Sequence, residues 1–339
     1  MVDLPQAGAG QIAIIGAGVA GLACANHLKA HGFAPVLFDK GRRPGGRLTS
    51  LQLDDRAWDL GAPFVRATRP DFATQIAAWE RSGLVSSWPT GPEGAYVGTP
   101  VMGSLIEAQC ADHDVRFGTL VQRVARRDDG WHVHGAGFDL GPFTALVIAV
   151  PAEQATALLS LHDFAMAGEA AAARSQARWA AMIAFDQPLA GLPDFVQDCG
   201  DLDWAARNTS KPGRGPAECW VVHAGTGWSA RNLEREPAAV APDLLRLLAQ
   251  YAGRVLPEPT FLKAHRWRFA CAFGQRGAAL WNAQLRLGAC GDWCIASGIE
   301  GAWRSGTDLA QRLATGSLAA LSPTADPRQT PALSKTGTA

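Results

Sequence analysis

The feature that most constrains this chain is a glycine-rich turn between an apolar run and a helix-like segment near its start. The apolar run Ile12–Ile15 suits a buried strand, and Gly16, Gly18 and Gly21 follow it at G-x-G-x-x-G spacing. The first glycine permits a tight turn, the second lets the backbone approach a pyrophosphate, and the third lets the helix pack closely on the strand. The pattern predicts a strand–turn–helix unit that holds phosphates at a helix N-terminus.

A second apolar run supplies the acidic residue that such a unit needs. Pro35–Phe38 ends in Asp39, eighteen positions after Gly21, where a carboxylate accepts hydrogen bonds from a ribose. The alternative is a glycine-rich turn without a ligand, which requires strand, glycines, helix and acid to coincide by accident. We therefore expect dinucleotide contacts from the turn and from the end of the second run: Gly16, Ala17, Gly18, Val19, Ala20, Gly21, Asp39 and Lys40.

Composition excludes several classes of protein. The 339 residues are 47% hydrophobic and 18% charged, with a formal net charge of zero. Such a chain is long enough for two domains, and its charge gives no reason to expect nucleic acid or a membrane surface as a partner. We find no apolar run of membrane-spanning length and no basic, then apolar, secretory leader. Seven scattered cysteines indicate reduced thiols in the cytoplasm, and no ligand spacing indicates a metal.

The pattern along the chain predicts an α/β fold with a discontinuous nucleotide domain. Strand-like stretches at 180–185 and 218–223, with a helix near 238–252, predict a mainly antiparallel layer with a helical element. Residues 285–292 return to a buried strand before a helix over 301–313. We expect a glutathione-reductase-like FAD-binding Rossmann domain with an inserted antiparallel-sheet substrate domain. The expected boundaries are 11–65, 95–160 and 282–320 for the first domain, 66–94 and 161–281 for the second, and 322–339 for a disordered tail.

Two further stretches favour FAD over NAD. Gly45-Gly46-Arg47 follows the ribose acid, and its arginine offers a two-pronged donor for phosphate. Gly291-Asp292 follows a late strand, where Asp292 would accept a ribityl hydroxyl. The N-terminus of the helix beginning at Gly301 would then face the pyrimidine edge of the flavin, where negative charge accumulates on reduction. The alternative for Asp292 is a plain helix N-cap in a loop.

The chain resembles the FAD-dependent amine-oxidase superfamily and, within it, the renalase-like flavoproteins. The motifs that carry the resemblance are spread over residues 11–320: Gly45-Gly46-Arg47, Asp59-Leu60-Gly61-Ala62, Tyr96-Val97-Gly98 with Met102, Lys211-Pro212-Gly213-Arg214 and His265-Arg266-Trp267-Arg268. The resemblance implies FAD contacts from Ala20, Arg47, Gly61 and the pair Pro63–Phe64, and an adenine-side contact from Val121. Many relatives have Gln-Tyr in place of Pro63–Phe64.

The resemblance also implies the reaction: an oxidase that takes hydride from a small nitrogen-containing substrate, such as dihydronicotinamide isomers, onto flavin N5, with reoxidation by oxygen. A conventional flavin amine oxidase, a non-catalytic flavin-binding sensor and an NAD-dependent dehydrogenase remain alternatives. No Ser/His/Asp or Cys/His nucleophile set is evident, so the catalytic residues stay unassigned. The pocket candidates are Phe64, Trp267, Trp303 and His223. An excess of cations over residues 204–231 favours a phosphate-bearing substrate.

Overall fold

The computed structural model describes residues 10–273 and 277–321, with side chains to residue 315. The expected tail at 322–339 lies outside the described residues. The elements from residue 12 to residue 148 are β1 (Ile12–Ile15), α1 (Val19–Ala30), β2 (Pro35–Phe38), a 3-10 turn (Gly46–Leu48), β3 (Ser50–Leu53), β4 (Arg56–Asp59), α2 (Pro70–Arg81), β5 (Val85–Ser87), β6 (Tyr96–Gly98), α3 (Met102–Cys110), β7 (Asp114–Arg116), β8 (Arg123–Arg127), β9 (Gly130–Gly135), β10 (Phe138–Phe143) and β11 (Ala145–Ile148).

The remaining elements follow from residue 152 to residue 321. They are α4 (Ala152–Leu159), α5 (Phe164–Ala172), β12 (Arg174–Phe185), β13 (Phe195–Cys199), β14 (Leu202–Arg207), a 3-10 turn (Asn208–Ser210), β15 (Glu218–Ala224), α6 (Thr226–Arg231), α7 (Pro237–Ala252), β16 (Phe261–Phe273), β17 (Leu280–Asn282), β18 (Leu287–Ala289) and α8 (Ile299–Leu321).

A six-stranded sheet of order β17-β18-β11-β1-β2-β7 forms the first half of the molecule. Five of its strands are parallel, and β17 is antiparallel to its neighbour β18. Its central strands are apolar on both faces because both faces are covered. Ile12 and Ile14 share a core with side chains of α1 and α8, whereas Ala13 and Ile15 share another with the small β8–β10 sheet and with α4 and α5.

A five-stranded antiparallel sheet of order β13-β14-β15-β12-β16 forms the second half. One face packs on α7 through Trp179, Trp220 and Leu244, and the other packs on β4 through Trp58. The antiparallel sheet predicted from the strand-like stretches is therefore present, and the helix expected near 238–252 is α7. Two short hairpins, β3–β4 and β5–β6, complete the strands of the described residues.

Within residues 10–273 and 277–321, no helix combines the length and apolar content needed to cross a bilayer.

Candidate functional site

A cleft of about 710 Å³ opens at the carboxyl ends of the parallel strands and extends to the antiparallel sheet. In parallel α/β sheets ligands bind at this edge. At one end the cleft is lined by the turn after β1, the loop after β2 and the segments that follow β11 and β18. At the other end it is lined by side chains of β12, β14, β15 and β16, so one cavity joins the two sheets.

The structure explains the need for glycine differently at the three glycine positions of the first turn. A Cβ atom at Gly16, where φ is +105°, would lie 2.4 Å from the Ala149 carbonyl oxygen. A Cβ at Gly21 would lie 2.0 Å from the Gly16 carbonyl oxygen. A Cβ at Gly18 would meet no atom within 4 Å, and Gly18 lines the cleft. The first and third glycines are thus required by the chain itself, whereas only a ligand gives a reason for the second.

Asp39 lines the cleft and also joins the turn after β1 to the loop after β2 through hydrogen bonds. One carboxylate oxygen accepts the backbone N–H of Ala17 at 2.8 Å, and the other accepts that of Gly41 at 2.7 Å. Each oxygen keeps further acceptor capacity for a hydroxyl. The sequence predicts only the ligand contact, so the link between the two loops is an additional role for this residue.

Arg47 and Asp292 lie side by side in the cleft as an ion pair. Two guanidinium nitrogens donate to the two carboxylate oxygens at 2.8 and 2.7 Å, and one of them also donates to the Ala270 carbonyl at 3.0 Å. Burial lowers the pKa of Arg47, but Asp292 more than compensates, so the net shift is upward. The sequence predicts an arginine directed at phosphate; in the structure its two-pronged contact is with Asp292, which is 2% exposed.

Helix α8 begins at Ile299, two residues before the start expected from the sequence. Gly298, Ile299 and Ala302 line the cleft, so the helix presents its N-terminus there. Gly301 does not line it: this residue lies in the first turn, where a Cβ would lie 1.6 Å from the Ala296 carbonyl oxygen. Close packing within the start of the helix therefore requires glycine at this position.

Two side chains from the antiparallel sheet converge on the Leu60 carbonyl at the far end of the cleft. His223 Nε2 donates to it at 2.8 Å and Trp267 Nε1 at 3.0 Å. Because a carbonyl can only accept, the His223 proton lies on Nε2, and Nδ1 remains an acceptor. Burial lowers the pKa of His223 to about 3, so the ring is neutral near neutral pH. Both residues line the cleft.

The other two predicted aromatic walls lie elsewhere. Phe64 does not line the cleft and packs edge-on against Phe195, with ring centroids 5.5 Å apart. Trp303 does not line the cleft and packs on Phe72, with ring centroids 5.3 Å apart. Both residues are partly buried and pack against the core of the parallel-sheet half.

The remaining predicted cofactor residues divide in the same way. Those that line the cleft are Gly16, Gly18, Val19, Ala20, Asp39, Lys40, Arg47, Gly61, Pro63, Val121, Gly291 and Asp292. Ala17 and Gly21 do not line it; Ala17 acts through its bond to Asp39, and Gly21 through close packing.

The cations of residues 204–231 do not face the cleft, contrary to the charge argument from the sequence. Arg207 pairs with Asp194 at 2.9 Å, and Arg231 pairs with Asp201 at 3.2 Å. Lys211 and Arg214 both pair with Asp59. None of the four lines the cleft, so this excess of cations does not favour a phosphate-bearing substrate.

A buried charge cluster is centred on Asp59, the residue before Leu60. One oxygen of Asp59 accepts hydrogen bonds from Lys211 at 2.9 Å and Arg214 at 2.6 Å, and all three side chains are at most 1% exposed. The other oxygen accepts the Met102 N–H at 2.9 Å. Burial raises the pKa of Asp59, but the two cations hold it well below its usual range, and burial lowers the pKa of Lys211 to about 8.

Sequence reasoning missed several polar or aromatic side chains of the cleft, three of which surround His223. Arg178 and Asp203 form an ion pair on its wall, and Trp204 stacks on His223 with centroids 4.0 Å apart. The sequence signal that could have indicated two of them is the polar–aromatic pair Asp203-Trp204 within a strand-like stretch. Arg178 gives no local signal, because its partner lies on another strand.

Comparison with known proteins identifies the fold. A family model described as an NAD(P)-binding Rossmann-like domain matches residues 14–76. Mitochondrial protoporphyrinogen oxidase of Nicotiana tabacum is 35% identical over 97 residues, which are 27% of this chain and 19% of that protein. The chain therefore spans about a fifth of the length of that curated relative.

Two solved structures match nearly the whole chain. One, from Exiguobacterium sp. 255-15, is provisionally described as a protoporphyrinogen oxidase; it has a TM-score of 0.72 and 12% identity over 91% of this chain and 99% of that one. The other is cyclohexylamine oxidase from Brevibacterium oxydans IH-35A, with a TM-score of 0.65 and 13% identity over 90% and 98%. At these identities the likeness shows that this chain has the fold of these proteins.

Proposed function

We propose that this chain is an FAD-dependent oxidoreductase, an oxidase of the renalase-like type that takes hydride from a small nitrogen-containing substrate. The observation that carries the proposal is the open space at Gly18, in a cleft that continues past Asp292 to Trp267 and His223. A dinucleotide needs close backbone approach at this glycine, and a flavin needs the further length of the cleft. The resemblance of motifs and the shared fold support the same assignment.

The residues that line the cleft would contact successive parts of FAD. Val121 would lie toward the adenine, Asp39 at the ribose and Gly18 at the pyrophosphate, where the N-terminus of α1 favours negative charge. Asp292, oriented by Arg47, would accept a ribityl hydroxyl, and the N-terminus of α8 would face the pyrimidine edge. The proposal assigns 11–65, 95–160 and 282–320 to the cofactor domain, and 66–94 and 161–281 to an inserted substrate domain in a glutathione-reductase-like arrangement.

The protein's part in the reaction is positional. When bound, the flavin supplies the hydride acceptor at N5 and passes the electrons to oxygen. The substrate must lie against the ring with its donor carbon near that atom. Trp267 and His223, both fixed on the Leu60 carbonyl, form the rigid wall that would hold it there. The proposed substrates are dihydronicotinamide isomers, and the proposed compartment is the cytoplasm.

A second candidate function is that of a conventional amine oxidase. The observation that favours it is the shared fold with cyclohexylamine oxidase. An amine cation would be best held by unpaired carboxylates, yet the aspartates that line the cleft are engaged: Asp292 by Arg47, Asp203 by Arg178, and Asp39 by the backbone N–H groups of Ala17 and Gly41. We therefore place this function second.

Replacing either sugar-binding aspartate should weaken FAD binding. Each would lose a hydrogen bond between a carboxylate and a hydroxyl, and Asp39→Ala and Asp292→Ala should each raise the FAD dissociation constant about ten- to a hundredfold. Fluorescence quenching during FAD titration measures the constant, with Asp112→Ala, an exposed aspartate outside the cleft, as control. Wild-type affinity in both cleft variants would remove these acids from the cofactor site.

The order of substrates tests the proposed reaction. FAD-loaded protein is mixed anaerobically with isomeric dihydronicotinamide nucleotides, cyclohexylamine or putrescine, and loss of flavin absorbance is followed by stopped flow. We expect faster reduction by a dihydronicotinamide than by either amine. The reverse order would replace this assignment with the amine-oxidase function, and an absence of reduction by any of them would favour the sensor.

A further inference from the structure

An ion pair crosses the cleft wall between two strands that are not neighbours. Arg178 lies on β12 and Asp203 on β14, with β15 between them. The arginine side chain also reaches the Ala224 carbonyl at the end of β15, at 3.5 Å. Arg178 and Asp203 are 14% and 27% exposed, and both line the cleft. The pair therefore lies over the end of β15, next to His223.

Irregular pairing in two ladders of the sheet shapes this wall. Between β14 and β15, Leu202 pairs with Ala224 and Trp204 with His223, so Asp203 is an extra residue in β14. Between β12 and β16, the register shifts between Gln176 and Arg178. Such β-bulges redirect side chains and are frequent beside active sites. The bulge at Asp203 accounts for a carboxylate directed across the sheet toward Arg178.

The wall around this pair is electrically balanced. Arg178 and Asp203 compensate each other, His223 is neutral, and Arg268 is bound at 2.8 Å by Glu234. A partly buried ion pair contributes little net stability, because desolvation offsets the attraction between its charges. What the pair does supply is a donor and an acceptor side by side on the surface of the cleft. A carboxamide presents the complementary acceptor and donor in the same arrangement.

We propose that Arg178 and Asp203 are the polar specificity determinants of the substrate site and select a planar ring that carries a neutral carboxamide. This inference rests on the proposed function, in which a substrate ring lies beside the flavin. An aliphatic ammonium would face Arg178 as a like charge, and a ring carboxylate would face Asp203 as one. The pair thus rejects both kinds of ion and accepts the neutral group.

Calorimetric titration of the FAD-loaded chain with nicotinamide, nicotinate and 3-(aminomethyl)pyridine tests the proposal, since these rings differ in one substituent. Wild type should bind nicotinamide most tightly. Asp203→Asn should weaken nicotinamide about ten- to a hundredfold and strengthen nicotinate, because Arg178 loses its counter-charge. Arg178→Gln should instead strengthen the aminomethyl ring. Asp201→Asn, which breaks the exposed pair with Arg231 beside the same strand, should change none of the three constants.

Opposite changes in affinity for differently charged rings would distinguish a loss of recognition from a structural defect. A structural defect would weaken the three rings together. Equal changes for all ligands in Asp203→Asn, or no binding of nicotinamide to wild type, would overturn the proposal. If the predicted binding pattern holds while no dihydronicotinamide reduces the flavin, the proposed reaction fails and the role of the ion pair stands.

Discussion

Replacing Gly18 with valine should abolish tight FAD binding while leaving the protein folded. Gly18 has an extended backbone that valine adopts readily, with φ of −83° and ψ of −173°. No protein atom lies within 4 Å of a Cβ at this position, so the side chain would project into space that the pyrophosphate needs. We expect the FAD dissociation constant to rise at least about a hundredfold, with an unchanged melting temperature of the FAD-free protein.

The matched control is another glycine with open space around it. Gly168 lies in α5, outside the cleft, and a Cβ there also meets nothing within 4 Å. Gly168→Val should therefore keep FAD at wild-type affinity. Wild-type affinity in Gly18→Val would show that no phosphate passes this turn. A large fall in its melting temperature without FAD would show that this glycine is needed for folding.

Asp59→Asn should strongly destabilise the fold. It leaves Lys211 and Arg214 buried without a carboxylate, and breaking a buried ion pair on one side costs about 3–5 kcal/mol. Urea unfolding of the FAD-free variant measures the loss. Glu234→Gln is the control, because Glu234 also bridges two arginines but is 69% exposed; it should cost less than about 1 kcal/mol.

The pH dependence of this difference follows from the lowered pKa of Asp59. A carboxyl whose pKa is lower in the folded state stabilises the fold above its unfolded pKa, and this contribution is lost as the pH falls. The free-energy gap between wild type and Asp59→Asn should therefore shrink as the pH falls below the ordinary aspartate pKa of 3.8. A gap of less than 1 kcal/mol at pH 7 would contradict the assignment of Asp59 as the counter-charge.

The sequence predicts the parts of this molecule that local chemistry determines. The turn at Gly16–Gly21 and the acid at Asp39 are recognisable because strand, glycines and carboxylate follow each other within one unit. Helices α2 and α7 are recognisable from apolar periodicity, since each buries one face. These features need no knowledge of which distant segments meet.

The parts that depend on tertiary pairing were not predictable in the same way. Arg178 and Asp203 meet across an intervening strand, and the bulge that turns Asp203 leaves no mark in the residue pattern. Phe64 and Trp303 directly follow residues that line the cleft, but their rings pack against Phe195 and Phe72 and do not line it. The two-pronged contact of Arg47 with Asp292 joins residues 245 positions apart.

Anaerobic titration of the FAD-reconstituted chain with a dihydronicotinamide isomer tests the central claim most directly. The protein should retain FAD through gel filtration and release it into the supernatant on acid precipitation. Its visible flavin absorbance should disappear as substrate is added and return when oxygen is admitted, with formation of hydrogen peroxide. A chain that does not retain FAD, or whose bound flavin stays oxidised with every dihydronicotinamide and amine supplied, would contradict the account.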